Sequence, residues 1–313
     1  MSMAWLLRAL DRLGVGIVLV VLGLILALRT EYFLTWKNLS NILTQTSVTT
    51  IMAVGMTFVI TTAEIDLSVG SLLALCGMVT GLLLEGGYPV PIAVTAGLAV
   101  GAMSGLIAGG IVVTWGLPSF IVTLGLLYIN RGIALLLTDA KPLYGFPESF
   151  TMIAKSSVGP LPLPALEALT AVALGQIVLS KTMFGRQVVA VGGNPLAARL
   201  SGVSVRSIKM GVFLLSGLCT GIASAITVAR QDSATPIIGE GQELDVIAAV
   251  IIGGTSLFGG RGTVIGTLFG ALLMGVLRNG LTLLDIASVW QKIVIGCVIV
   301  IAVLLDYYRR KLT

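Results

Sequence analysis

The sequence predicts an all-α membrane protein, a polytopic bundle of about ten transmembrane helices with discontinuous or re-entrant pieces. Three observations predict it. Hydrophobic residues make up 56% of the 313 positions and charged residues only 11%, whereas a soluble domain carries roughly 25% charge. Apolar runs of roughly 17 to 25 residues, the length of a helical crossing, recur along the whole chain. Acids and glycines interrupt those runs at a few points, where irregular backbone is tolerated in lipid only under protein cover.

In chain order the expected spans are 14–30, 46–63, 67–84, 91–113, 117–138, 165–180, 210–229, 245–258, 263–284 and 289–306. The pieces at 165–180 and 245–258 are short, so each is expected to be tilted, extended into its flanks or re-entrant. The whole of 1–313 reads as one transmembrane domain. Met1 to Arg12 followed by a long apolar run and no A-x-A site does not resemble a cleaved signal. Orientation follows from the Lys/Arg bias. With Arg8 and Arg12 in the cytoplasm, the segment 181–209 is cytoplasmic as well, with Lys181, Arg186, Arg199, Arg206, Lys209 and no acid. So is the tail Arg309, Arg310, Lys311, and both termini are therefore cytoplasmic. The opposite face receives Asp232, Glu240, Glu243 and a Pro-rich loop at 139–164. The net charge of +5 thus reports topology and not nucleic-acid binding.

Glycine is abundant, at 39 residues, and much of it is spaced by four. Gly101, Gly105 and Gly109 form one ridge, Gly262, Gly266 and Gly270 another, and Gly77/Gly81 and Gly217/Gly221 shorter ones. Such ridges let helix backbones approach closely, because packing rather than hydrophobicity holds membrane helices together. Trp36, Trp115 and Trp290 fall at expected span ends, the level indoles prefer.

Several chemistries are excluded. There is no histidine, and Cys76, Cys219 and Cys297 sit singly inside apolar runs with neither metal nor redox spacing. No metal site is expected. The runs "GGRGTVIG" and "GRQVVAVGGN" both lack the lysine that grips phosphate in a nucleotide-binding loop. If ATP drives this protein, another subunit hydrolyses it.

Three stretches carry the functional reading. In "EIDLSVGS", 64–71, Asp66 is expected to cap the helix from Leu67, while the break exposes half-helix ends to a water-filled path. Glu64 lacks such an explanation, and intramembrane acids face a partner or a cavity. In 182–209, an extended or loop piece ends at Gly192-Gly193, Asn194 is the N-cap, Pro195 takes the first helical position and Gly202 stops a two-turn helix. That short basic helix suits docking to a soluble partner. In 241–273, Gly253-Gly254 and Gly259-Gly260 break the run, and Glu243-Leu244-Asp245 echoes Glu64-Ile65-Asp66 on the opposite face, a trace of an inverted repeat. Arg131 is the basic residue well inside a span; it either pairs with an acid to hold the bundle or lines the pathway. Glu64, Asp66, Ser68, Asn130, Arg131, Glu243 and Asp245 are the candidates for a translocation path or gate.

Together "NILTQTSVTTIMAVGMTFVI" at 41–60, "IDLSVGS" at 65–71, "GRQVVAVGGNPLAARLSGV" at 185–203 and "ELDVIAAVIIGGTSLFGGRGTVIGTLFGAL" at 243–272 resemble the permease subunits of ribose-type bacterial ABC importers. The resemblance implies a monosaccharide permease in the bacterial inner membrane, paired with a second permease subunit. It also implies a cytoplasmic ATPase that carries ATP and Mg, and a periplasmic sugar-binding protein. No cofactor is expected on this chain. Gly185, Gly193, Asn194, Ala197, Ala198, Arg199, Leu200, Ser201 and Gly202 match the family's ATPase-coupling block, and Arg186 lies inside it. Many members have glycine where this chain has Glu64. Three rival readings remain: a proton-coupled secondary transporter with Glu64, Asp66 and Arg131 as relay, an ABC permease for branched amino acids or another non-sugar solute, and a membrane-embedded enzyme.

Overall fold

The computed structural model describes the backbone of residues 3–312 and the side chains of 15–304, Ser288 excepted. The basic side chains at 8, 12 and 309–311 therefore lie outside the described residues. Among the described residues thirteen helices follow one another: α1 (Met3–Arg29), α2 (Trp36–Thr61), α3 (Val69–Glu85), α4 (Val90–Trp115), α5 (Ser119–Leu136), α6 (Glu148–Lys155), α7 (Leu163–Lys181), α8 (Met183–Gly193), α9 (Pro195–Leu200), α10 (Val205–Gln231), α11 (Gln242–Ile252), α12 (Val264–Leu283) and α13 (Ser288–Leu312). Four strands of two residues each make two small antiparallel pairs: β1 (Leu143–Tyr144) with β4 (Ser233–Ala234), and β2 (Ser157–Val158) with β3 (Leu161–Pro162).

Among the described residues, six helices, α2, α4, α5, α7, α10 and α12, are long and apolar enough to cross a membrane. Shorter apolar helices occupy Val15–Arg29, Val69–Glu85 and Val289–Leu304. The span expected at 46–63 starts ten positions early, at Trp36, because Thr35 caps the helix through the Asn38 N–H and Asn38 exchanges side-chain hydrogen bonds with Asn279 of α12. The span expected at 245–258 stops at Ile252, and residues 253–263 are not helical. Gly254, Gly259 and Gly260 all have positive φ there, which favours glycine. The loop at 139–164 carries α6 and three of the short strands.

α2 and α10 form the interior. Ile51, Met52, Met56, Phe58, Val59 and Ile60 of α2 and Val212, Phe213, Ala223, Val228 and Ala229 of α10 are essentially inaccessible. The glycine ridges bring helix backbones together, apart from Gly262, which precedes α12 and lies against the Thr61 side chain. Gly101 and Gly217 lie backbone to backbone, a Cβ on Gly105 would meet the Phe213 carbonyl group, and Gly109 faces Met210, so α4 and α10 run antiparallel in direct main-chain contact. Gly266 and Gly270 of α12 fit against Gly253 and Ala249 in the same way. Apolar side chains on α1, α4, α5, α7 and α13 point outward, as lipid-facing surfaces require: Leu24, Ile107, Phe120, Leu174 and Val300 are examples. Trp36, Trp115 and Trp290 are exposed at helix ends.

The bundle has two distinct ends. At one, the chain after α2 meets the end of α8 and the 256–262 loop: the Gly260 N–H donates to Thr61 O at 2.9 Å and Gly192 lies against the same carbonyl. α9 belongs to this end. At the other, β1 pairs with β4, the Phe146 N–H donates to Asp232 Oδ1, and Lys155 lies 3.8 Å from Asp232.

One expectation about local structure fails here. Residues 183–193 are helical, not extended. Thr182 Oγ1 accepts the Gly185 N–H, and Phe184, Val188 and Val191, spaced by four and three, turn one face inward. With no strand beside it, a helix is the conformation that satisfies this segment's own backbone.

Candidate functional site

The first candidate feature is a pair of broken crossings that meet inside the bundle. After α2 ends, Thr62, Ala63 and Glu64 close its last turn onto Phe58, Val59 and Ile60, residues 65–68 run on without helical hydrogen bonds, and α3 begins only at Val69. Backbone groups freed by this break need partners, and side-chain hydroxyls of the first turns of α5 supply them. Ser119 Oγ accepts the Ile65 N–H at 3.0 Å, and Thr123 Oγ1 accepts the Leu67 N–H at 3.0 Å. From the other end, residues 232–241 dip inward before α11. A Cβ on Gly70 would sit 2.5 Å from Gly239 O and overlap the Glu243 carboxylate, so glycine is required where the two breaks touch.

Asp66 does not cap α3, contrary to expectation. Ser68 is the N-cap residue and offers no side-chain cap bond. Asp66 Oδ1 instead accepts both the N–H and the hydroxyl of Ser68, at 3.0 and 2.6 Å, and Oδ2 accepts the Ser216 hydroxyl at 3.0 Å. The physical reason is register. The helix starts two residues later than Leu67, so the carboxylate holds the extended approach and ties it to α10. Glu64, buried, forms an ion pair with Lys209 at the start of α10. Its charge is thus matched by a residue that the sequence placed in the basic segment.

The remaining candidates scatter. Asn130 Nδ2 donates to Ser104 Oγ at 3.3 Å, a contact between α5 and α4. Arg131 does not close on a carboxylate. It donates to the carbonyls of Pro236 and Ile238 at 2.6 and 3.0 Å and so fastens the inward-dipping loop to α5. Asp245 forms an ion pair with Arg278 of α12 at 2.5 Å. Arg278 corrects the view that Arg131 alone is basic within a span, because it sits inside α12 with its side chain half exposed. The echoing acids therefore have different partners in the two breaks.

The second feature is a cavity of about 200 Å³ between α2, α10, α11 and α12. Polar groups and apolar surface share its wall about equally: Gln45, Thr46 and Thr49 of α2, Arg230 and Gln231 of α10, and Gln242 beside the Asp245–Arg278 pair supply the polar part. The sequence reading missed all of these except Asp245. Their signal was legible: "NILTQTSVTT" places Gln45, Thr46 and Thr49 on a stretch that is otherwise membrane-like, a cost that lipid exposure would not repay.

The third feature is the α8–α9 segment. The Asn194 side chain accepts the Ala197 N–H at 2.9 Å, Pro195 opens α9, and Gly202 ends it with φ +82°. Leu196 and Leu200 are exposed, at 66% and 82%, as are Arg186, Gly193, Ala197, Arg199 and Ser201. Gly185 and Ala198 are buried and hold the segment down.

A protein-family model described as "Branched-chain amino acid transport system / permease component" matches residues 38–303. The chain belongs to that family. Among relatives of this permease, the ribose import permease protein RbsC of Escherichia coli K12 is 45% identical over 294 residues, covering 93% of this chain and 92% of the relative. RbsC of Bacillus subtilis is 42% identical over 300 residues (95% and 93%). The D-allose transport system permease protein AlsC of Escherichia coli K12 is 40% identical over 298 residues (95% and 91%). No solved structure matches the permease.

Proposed function

We propose that this chain is the transmembrane subunit of an ATP-driven, binding-protein-dependent importer of a monosaccharide. The observation that carries the reading is end-to-end similarity to ribose and D-allose import permeases at 40–45% identity. In this reading two permease subunits, identical or not, form the pathway in the bacterial inner membrane with both termini cytoplasmic. Each subunit crosses about ten times, counting α11 with its flanks and α3 with residues 62–68 as discontinuous crossings. A periplasmic binding protein delivers the sugar. A separate ATPase receives α8 and α9, and the exposed Leu196, Arg199 and Leu200 are the contacts through which nucleotide state reaches the bundle. Transport then is a two-state equilibrium of helix packing that the nucleotide biases.

The family description's own words favour a second reading, a permease for branched-chain amino acids. Reconstitution with its cognate ATPase and binding protein separates them. Uptake of D-ribose or D-allose that requires ATP, survives a proton ionophore and is not competed by L-leucine is the expected outcome. Uptake abolished by the ionophore would return the secondary-transporter reading, and competition by leucine the amino-acid one. Arg199→Glu is expected to lower uptake at least tenfold while the permease still inserts and folds; an unaltered rate would remove the coupling role.

A further inference from the structure

We infer that the cavity between α2, α10, α11 and α12 is a monosaccharide subsite within the permease itself, an inference that rests on the importer reading above. Its volume of about 200 Å³ corresponds to roughly seven waters at liquid density, room for one sugar ring. The wall has the chemistry a polyol needs. Gln45, Gln231 and Gln242 each offer an amide donor and a carbonyl acceptor, and Thr46 and Thr49 hydroxyls that do both. Val48 and Met274 contribute apolar surface, against which the carbon face of a sugar ring can lie. Fixed charge is small: Asp245 neutralises Arg278, which leaves Arg230 to donate to ring or hydroxyl oxygens.

Two unsatisfied atoms point the same way. Thr46 Oγ1 and Gln242 Oε1 are buried and have no hydrogen-bond partner. A helical threonine ordinarily donates to the carbonyl four residues back, as Thr44, Thr57 and Thr61 of the same helix do; Thr46 does not. Gly275 on α12 leaves the space its hydroxyl occupies, since any Cβ there would overlap it. Buried polar groups without partners are rare in folded proteins and call for an explanation; a ligand hydroxyl supplied in another state is the one the cavity beside them favours. Both atoms are closed off from solvent in this conformation, so sugar hydroxyls reach them as the four helices part. Such a subsite binds weakly, because cargo that is held firmly is not released.

The test uses the complete importer in proteoliposomes. Thr46→Val and Gln242→Leu remove the unpaired atoms with little change of shape. If the atoms serve packing alone, both variants match the parent in uptake and equal or exceed it in thermal stability. As subsite residues, each lowers the initial rate of D-ribose uptake about two- to tenfold, the worth of one hydrogen bond, at undiminished stability. A second readout reports occupancy directly. With Cys297 replaced by serine, a cysteine at Thr49 is labelled by a maleimide, and millimolar D-ribose slows labelling at least threefold while L-leucine does not. Thr46→Val or Gln242→Leu in that background abolishes the protection. Protection by leucine, or by neither solute, overturns the subsite. A parent complex that imports no monosaccharide overturns the importer reading and the subsite with it; one that imports ribose without protecting Thr49→Cys overturns the subsite alone.

Discussion

Lys209 and Glu64 are 145 residues apart in sequence and form an ion pair in the structure, with side chains 23% and 10% exposed. Two charges this sheltered are not independent contributors. Removing one leaves the other without its counter-charge, and that loss is larger than the pair's net worth. Glu64→Gln and Lys209→Met are each expected to lower stability in detergent by about 1–3 kcal/mol, the cost of leaving one partner unsatisfied, while the double variant recovers at least half of the loss. Additive losses in a double-mutant cycle would show that the two residues do not act as a pair. This residue also marks where sequence reasoning stops. That Glu64 needed a partner followed from its place between apolar runs; that Lys209 was the partner could not, because one sequence carries no record of which distant positions meet. The same holds for Asp245 and Arg278, 33 positions apart. For Asp66 the acid was legible at the break, but its helix starts at Val69, and a boundary shifted by two residues turned an expected cap into a tie to Ser216.

At the scale of the element, glycine spacing was the most readable feature, because a small-residue repeat at every fourth position means one thing on a helix in lipid. Gly105 and Gly110 provide a matched comparison on α4. Both gain the same backbone preference from alanine, about 1 kcal/mol. A Cβ at Gly105 would lie 2.9 Å from the Phe213 carbonyl carbon, whereas nothing lies within 4 Å of one at Gly110. Gly105→Ala is therefore expected to destabilise by roughly 1–3 kcal/mol, as overpacking does, and Gly110→Ala to be neutral or stabilising. Equal effects in thermal unfolding would mean that α4 and α10 do not hold each other through their backbones. What spacing did not convey was α8. An extended or loop piece was expected to end at Gly192-Gly193, yet Gly192 is there because Thr61 and Gly260 press against it and not because the chain bends. For the cavity wall, the polar residues at the start of α2 were legible, but that α12 lies beside them, through Asn279 and Gly275, is not written in one sequence.

At the scale of the molecule, the end to which each loop belongs tests the arrangement as a whole. The turn after α2, the end of α8 and the 256–262 loop touch one another, and Val113 to Gly116 at the end of α4 line one groove with Arg199, Arg206 and Lys209. Four separate connections thus share the end that carries the basic segment, as an even number of crossings between them requires. Basic loops remain on the cytoplasmic side, so this whole end is expected to face the cytoplasm and the β1–β4 end the periplasm. Cysteine placed at Ser201 or at Tyr144, both exposed, reads this directly in the Cys297→Ser background. In intact spheroplasts a membrane-impermeant maleimide is expected to label Tyr144→Cys and to spare Ser201→Cys, with the pattern reversed in inside-out vesicles. Labelling of both from one side would break the parity of crossings between β1 and α9. A full inversion would keep the fold but turn α9, with its exposed Leu196 and Leu200, away from any cytoplasmic ATPase, and the coupling proposed for that segment would fail.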